Sequence, residues 1–197
     1  MPAMTPHLRS LVPMEDVTLM IFGATGDLTS RKLIPALFRL HVNGFLPEKM
    51  QIVGIARREK TTEQFCEEIR SEIADDFTAA QLQEHWGSFT EKLSYVRTDI
   101  SDPGDYESLK QQIEHLEGEN GLSGRRIVYL ALMPKLFEES VANLAKVGMV
   151  PQDANQFRVV IEKPFGHDLQ SAHELSSGLA QYLQEDQIFR IDHYLGK

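Results

Sequence analysis

The chain has 197 residues, of which 42% are hydrophobic and 25% are charged, the balance of a soluble globular domain with a sizeable core. Twenty lysines and arginines against twenty-nine acidic residues give a net charge of −9, which argues against a surface that wraps nucleic acid. The longest apolar runs are too short to span a bilayer, and the first residues lack the pattern of a signal peptide, so we expect no membrane partner.

Apolar runs of strand length alternate along the chain with longer segments of helical periodicity. Strands are predicted at residues 17–22, 51–56, 93–98, 126–133 and 157–161. Helices are predicted near residues 30–42, 62–73, 105–116, 136–147 and 168–183, with helical character resuming as far as residue 86. Residues 117–124 are predicted to form a polar, glycine-rich loop.

This alternation predicts an α/β fold with a doubly wound, mostly parallel sheet. Nearly continuous apolarity in the first strand indicates a strand that is covered on both faces. We therefore expect a flexible segment at residues 1–16 and a Rossmann-like dinucleotide-binding domain over residues 17–197. Ligands of such sheets bind at the carboxyl ends of the strands, which is where the candidate site residues follow.

The turn after the first predicted strand has the composition of a phosphate-binding turn. Its two glycines, three residues apart, permit a tight turn and let backbone N–H groups approach a pyrophosphate, while the next helix offers its positive end to the anion. The candidate cofactor-binding residues of this turn are Gly23, Thr25, Gly26, Asp27 and Leu28. The alternative is that the glycines only form a turn, but their place between a strand and a helix favours nucleotide binding.

The second predicted strand ends in Arg57 and Arg58, where many dinucleotide domains have an acidic residue. A guanidinium can pair with a 2′-phosphate but cannot accept a hydrogen bond from a ribose hydroxyl. Arg57, the nearer of the two to the strand, therefore favours NADP over NAD. The alternative is that the two arginines are exposed to solvent and that Glu59 forms an ion pair with them. After the third strand, Asp99 and Ile100 lie where the adenine edge would sit, although Asp99 could equally cap the next helix.

Two further motifs are far more specific than the glycine turn. They are E-K-P-F-G at Glu162 to Gly166 and R-I-D-H-Y-L-G-K at Arg190 to Lys197. Together with the glycine turn and Tyr129-Leu130-Ala131, they make residues 19–197 resemble glucose-6-phosphate dehydrogenase. The resemblance implies oxidation of glucose 6-phosphate at C1 to 6-phosphoglucono-lactone, the first step of the pentose phosphate pathway. It also implies hydride transfer to NADP and a homo-oligomeric full-length protein.

The resemblance also implies roles for individual residues. Lys163 is expected to contact both the cofactor and the sugar, with Pro164 after a cis peptide bond, and Asp192 is expected to orient the catalytic histidine. The residues expected to cradle the sugar phosphate are His193, Tyr194 and Lys197. Cations and hydrogen-bond donors suit a phosphate, and a base with a carboxylate behind it suits the loss of a hydroxyl proton.

The chain departs from the family pattern at two points. Met133-Pro134 stands where the family has paired prolines, which suggests a looser turn. The family's proton-accepting histidine belongs to a second domain, downstream of Lys197, so we expect the chain as given to be an inactive fragment. The alternatives are a non-catalytic NADP-binding or regulatory module and, more remotely, another NADP-linked sugar reductase or epimerase.

The histidines and the single cysteine show no metal-ligand spacing, so we predict no metal. Cys66 is expected to be an ordinary helix residue, because no activating pattern surrounds it. A chain with one cysteine suits a reducing compartment, which predicts a cytoplasmic location.

Overall fold

The computed structural model of the chain describes residues 15–166 and 168–192. Within these ranges the strands are β1 (Val17–Phe22), β2 (Met50–Ala56), β3 (Leu93–Arg97), β4 (Arg126–Leu130), β5 (Phe157–Glu162) and β6 (Ile188–Ile191). They form one sheet in the order β3-β2-β1-β4-β5-β6, and every neighbouring pair is parallel. The predicted doubly wound α/β fold is confirmed, with β1 at the point where the strand order reverses.

Helices cover both faces of this sheet. They are α1 (Ile34–Val42), α2 (Thr62–Ile73), α3 (Ala79–Thr90), α4 (Asp105–Glu119), α5 (Phe137–Lys146) and α6 (Leu169–Leu179). One buried apolar cluster contains side chains from α1, α2 and α3, and a second contains side chains from α4, α5 and α6. None of the helices in the described ranges combines the length and apolar character that crossing a bilayer requires.

β1 shows why a parallel strand of this kind is apolar at every position. Met20 and Phe22 belong to one cluster, while Leu19 and Ile21 belong to the other, because successive side chains of a strand point to opposite faces. All six β1 residues are buried. The prediction that this strand is covered on both faces is therefore confirmed.

The sixth strand was not predicted. β6 is short, lies at the edge of the sheet, and exposes most of its length, so it lacks the apolar run that identifies a buried strand. Its pairing with β5 sets Glu162 opposite Ile191. This register brings the two specific motifs of the sequence side by side.

Two helix boundaries also differ from the prediction. Helical character resumes after residue 73 as predicted, in a separate helix, because Thr61 and Thr78 each form a capping box that starts its own helix. This second helix ends at Thr90 and not at residue 86. α4 continues to Glu119, so the predicted polar loop from residue 117 was wrong at its start. Glu117 is buried there because its carboxylate accepts hydrogen bonds from the side chains of Thr18 and Arg126.

Candidate functional site

A cleft of about 270 Å³ opens at the carboxyl ends of β1 to β4, where the fold places the ligands of related sheets. Four turns contribute to its wall, one after each of these strands. The lining residues are Gly23, Thr25, Gly26, Ile55, Ala56, Arg57, Asp99, Ile100, Ser101, Ala131, Leu132, Met133 and Leu136. Six of the predicted cofactor-binding residues thus line one cleft.

The glycine turn is built for close approach of the neighbouring turn. Gly23 has φ of +86°, and a Cβ there would lie 2.3 Å from the backbone oxygen of Ala131. Only glycine fits, because a side chain would be strained at this positive φ and would clash with the turn after β4. Gly23 also donates its N–H to Ile55 O at 2.9 Å, and Thr29 Oγ1 donates to Gly23 O at 3.1 Å. The turn is therefore fixed on both sides.

The helix after this turn begins with a π-helical segment, Thr29–Leu33, that leads directly into α1. Asp27 and Leu28 stand at the start of the helical run, where backbone N–H groups lack helical acceptors. Neither residue is among those lining the cleft, and the exposed Asp27 carboxylate lies 4.0 Å from Arg31 Nε. Any contact of Asp27 or Leu28 with a cofactor would therefore be made at the start of the helix and not in the wall of the cleft.

Arg57 lies at the end of β2, lines the cleft and is exposed. The alternative, in which Glu59 forms an ion pair with Arg57 and Arg58, receives no support, because Glu59 lies 3.5 Å from Arg97 instead. Arg97 itself donates to Asp105 at 2.6 Å. Among the described residues, Arg57 has no ion-pair partner, so its guanidinium can meet an anion without breaking a bridge.

Asp99 and Ile100 line the same cleft after β3. Asp99 does not cap α4, because that helix starts after Gly104 and has no side-chain cap. Instead Asp99 Oδ1 accepts from the N–H of Ser101 at 3.1 Å, which shapes the turn itself. The capping alternative for Asp99 was wrong.

The two specific motifs meet at the ends of β5 and β6. Lys163 N donates to Ile191 O at 3.3 Å, and Lys163 Nζ lies 2.6 Å from Asp192 Oδ2. The Lys163–Pro164 peptide bond is cis, as the resemblance implied. The Lys163 side chain is about half exposed and that of Asp192 about three-quarters buried, so the pair faces solvent through the lysine. Residues 29 positions apart thus form one charged pair.

Sequence reasoning missed a second polar contact beneath this pair. Tyr129 on β4 donates its hydroxyl to Glu162, the last residue of β5. Burial, together with the adjacent carboxylate, raises the pKa of Tyr129, so the phenol remains a donor. Both residues stood within the motifs that carried the resemblance, but nothing local in the sequence indicated that they would touch.

A second cleft of about 300 Å³ lies between the starts of α5 and α6, beside the E-K-P-F-G loop. Its lining includes Lys135, Phe165 and Glu174. Met133, the departure from paired prolines, lies in the turn between the two clefts and is 58% exposed. The predicted phosphate-cradle residues His193, Tyr194 and Lys197 lie outside the described residues.

Within residues 15–166 and 168–192, no three histidine, cysteine or acidic side chains cluster in a way that could hold a metal ion. Cys66 lies buried in α2, as expected of an ordinary helix residue. Burial, followed by the charge of Glu63, raises the pKa of its thiol to about 11. Such a thiol is protonated at neutral pH and a poor nucleophile.

Comparison with known proteins covers nearly all of the chain. The family model described as "Glucose-6-phosphate dehydrogenase, NAD binding domain" matches residues 20–197. Among curated proteins, glucose-6-phosphate 1-dehydrogenase of Chlamydia pneumoniae is 41% identical over 184 residues, covering 91% of this chain and 36% of the relative. The enzyme of the same name from Schizosaccharomyces pombe is 43% identical over 183 residues, covering 93% of this chain and 36% of the relative.

The fold agrees with a solved structure described as glucose-6-phosphate dehydrogenase in complex with its substrate glucose 6-phosphate. The TM-score is 0.81 at 35% identity, with 95% of this chain and 38% of that chain covered. The Mycobacterium avium glucose-6-phosphate 1-dehydrogenase structure gives a TM-score of 0.77 at 35% identity, with 94% and 37% covered. The chain therefore spans little more than a third of the length of these relatives.

Proposed function

The chain belongs to the glucose-6-phosphate dehydrogenase family, and from that premise we propose that it provides the cofactor-binding part of an enzyme that oxidises glucose 6-phosphate. The reaction would convert C1 of the sugar to the lactone and transfer the hydride to NADP. The dinucleotide-binding character follows from the family model. The choice of NADP and the sugar chemistry are the proposal.

The observation that carries the choice of NADP is the position of Arg57. Arg57 lines the cleft directly after β2, is exposed, and has no ion-pair partner among the described residues. A 2′-phosphate needs such a cation, whereas the 2′-hydroxyl of NAD is best bound by a carboxylate that accepts its proton. The N–H groups of Gly23 and Gly26 are already bonded to Ile55 O and Gly23 O. The pyrophosphate would therefore meet Thr25 and the start of the helical run, where backbone N–H groups lack helical acceptors.

Asp99 and Ile100 would contact the adenine end of the cofactor from the turn after β3. When bound, NADP supplies the hydride acceptor for the oxidation. The chain's own residues would bind and orient it, with Thr25 and Gly26 on the phosphate side. The close contact between Gly23 and Ala131 keeps the turns after β1 and β4 at a fixed separation.

The Lys163–Asp192 pair supports a sugar site beside the cofactor. Asp192 holds the lysine ammonium at the carboxyl edge of the sheet, where it could donate to a sugar hydroxyl or to the cofactor. In the complete site we propose that Asp192 also orients the histidine base of the reaction. The proposed ligands of the sugar phosphate are His193, Tyr194 and Lys197. Homo-oligomerisation and a cytoplasmic location stay predictions.

The cofactor proposal is tested by titrating the chain with NADP and with NAD in a calorimeter. Arg57→Ala should raise the Kd for NADP about tenfold or more, because one charge-assisted phosphate contact is lost. The Kd for NAD should change little. Arg70→Ala, which removes an exposed guanidinium from α2, is the matched control. Equal losses for both nucleotides would contradict the 2′-phosphate role.

The substrate proposal is tested by measuring NADPH formation from glucose 6-phosphate in the full-length protein. Lys163→Met should abolish most of this activity, whereas Lys135→Met, on the neighbouring cleft, should retain it. Unchanged turnover in Lys163→Met would refute the proposed role of the lysine.

A further inference from the structure

A tyrosine hydroxyl on β3 contacts the loop that carries Arg57. Tyr95 Oη lies 2.6 Å from Arg58 O and 3.2 Å from Ala56 O, so it reaches carbonyl groups on both sides of Arg57. Ala56 O also accepts from the N–H of Thr98 at 2.9 Å, so the sheet holds that side of the loop without the tyrosine. The single phenolic proton is therefore directed at Arg58 O, the nearer acceptor.

The ring of Tyr95 is itself held firmly. Its side chain is buried, and its ring centroid lies 5.1 Å from that of Phe65 on α2. Its backbone N–H donates to Thr62 Oγ1 at 3.1 Å. Phe65 fits there because Gly54 opposite has no side chain, and a Cβ at Gly54 would lie 2.6 Å from Phe65 Cζ. The hydroxyl is thus presented to the loop from a fixed point in the core.

Burial raises the pKa of Tyr95, which keeps the phenol a hydrogen-bond donor at neutral pH. The loop that it contacts is otherwise exposed, since Arg57, Arg58 and Glu59 all face solvent. An exposed loop with a long side chain loses conformational entropy when it binds a ligand, and a fixed backbone reduces that loss. A contact that orders the loop in advance therefore favours binding through the Arg57 side chain.

We propose that Tyr95 is a positioning residue for nucleotide selectivity, which holds Arg57 towards the cleft for a phosphate monoester on the ribose. The proposal rests on the proposed function, because it requires that Arg57 binds the 2′-phosphate. Tyr95 acts through the backbone at Arg58 and does not itself contact the nucleotide. NAD lacks the phosphate, so its binding does not depend on how Arg57 is held.

The test is Tyr95→Phe, which removes the hydroxyl and keeps the ring packed on Phe65. The Kd for NADP should rise about three- to tenfold, the value of one net hydrogen bond, while the Kd for NAD changes less than about twofold. Hydrogen–deuterium exchange should quicken at residues 57–59 and stay unchanged in the core strands. Tyr182→Phe, on the opposite face of the sheet, is the matched control.

A double-mutant cycle with Arg57→Ala separates the two proposals. If Tyr95 acts through Arg57, Tyr95→Phe has no further effect on the ratio of NADP to NAD affinity once Arg57 is alanine. If Arg57→Ala itself leaves that ratio unchanged, the 2′-phosphate role and the positioning role both fail. If Arg57→Ala lowers the ratio but Tyr95→Phe does not, or weakens both nucleotides equally, only the positioning role is overturned.

Discussion

The buried ion pair between Glu117 and Arg126 provides a sharp test of the fold. Arg126 Nε and Nη2 lie 2.8 Å and 2.6 Å from the two oxygens of Glu117, and Thr18 Oγ1 donates to the first of these at 2.9 Å. The side chains of Glu117 and Arg126 are 7% and 10% exposed. The pair ties the end of α4 to the starts of β1 and β4.

Glu117→Gln keeps the shape but replaces one carboxylate oxygen by an amide NH₂ that faces Arg126 Nη2, so a donor meets a donor. The guanidinium is left buried and uncompensated, which typically costs about 3–5 kcal/mol of the free energy of unfolding. For a domain of this size each kcal/mol lowers Tm by about 2–4 °C, so Tm should fall by about 6–20 °C.

The assay is urea and thermal unfolding followed by the fluorescence of Trp86, the single tryptophan. Glu119→Gln is the matched control on the same helix, because the Glu119 side chain is 61% exposed and its carboxylate lies 3.5 Å from the exposed His115. That variant should lose less than about 0.5 kcal/mol. A loss in Glu117→Gln no greater than in Glu119→Gln would refute the reasoning.

A rescue distinguishes loss of pairing from loss of packing. Replacing the whole cluster by apolar residues, as Thr18→Val, Glu117→Leu and Arg126→Met together, removes every group that needs a partner. The triple variant should therefore regain most of the stability lost in Glu117→Gln. No recovery would indicate that packing at this site, and not the unpaired charge, sets the cost.

Two further predictions concern α2. Gly54→Ala should cost about 1–3 kcal/mol of stability by overpacking, because the new Cβ would lie 2.6 Å from Phe65 Cζ on α2. In thermal denaturation, Phe65→Leu should relieve part of that cost when the two substitutions are combined. Strictly additive losses in the double variant would contradict the contact. Cys66 has a folded pKa of about 11 against an ordinary value of 9.0, so from pH 9.0 to 11 the unfolded chain loses its thiol proton first and stability falls as pH rises. In denaturant unfolding across this pH range, the free energy of unfolding of the unsubstituted chain should fall by about 2–3 kcal/mol, and that of Cys66→Ala should lack this fall. Identical pH profiles for the two proteins would count against the raised pKa.

Much of the fold and of the cofactor cleft could be predicted from the sequence, because the signals are local. The β1 residues are apolar throughout since both faces of that strand are covered, and this requirement can be read from six consecutive positions. The role of Gly23 could be predicted in the same way, because its positive φ and its place after a strand are properties of a single turn. The prediction that Arg57 faces the ligand edge followed from its place at the end of β2.

The boundaries that failed were those where tertiary contacts outweighed local composition. Glu117 is charged and precedes glycine-rich residues, which locally indicates a loop, but a partner on β4 makes its burial in α4 favourable. β6 has too few buried side chains to show a strand pattern and forms because β5 offers an unpaired edge.

By itself, the sequence determined the α/β class, the glycine turn, the basic end of β2 and the family. Only the tertiary structure decided which distant residues touch. Lys163 meets Asp192 because β5 and β6 pair in a particular register. Tyr95 on β3 reaches the carbonyl of Arg58 because β3 pairs with β2, which that loop follows. Local propensities act over a few residues, whereas these contacts depend on strand order and register, which arise when apolar surface is buried throughout the whole sheet.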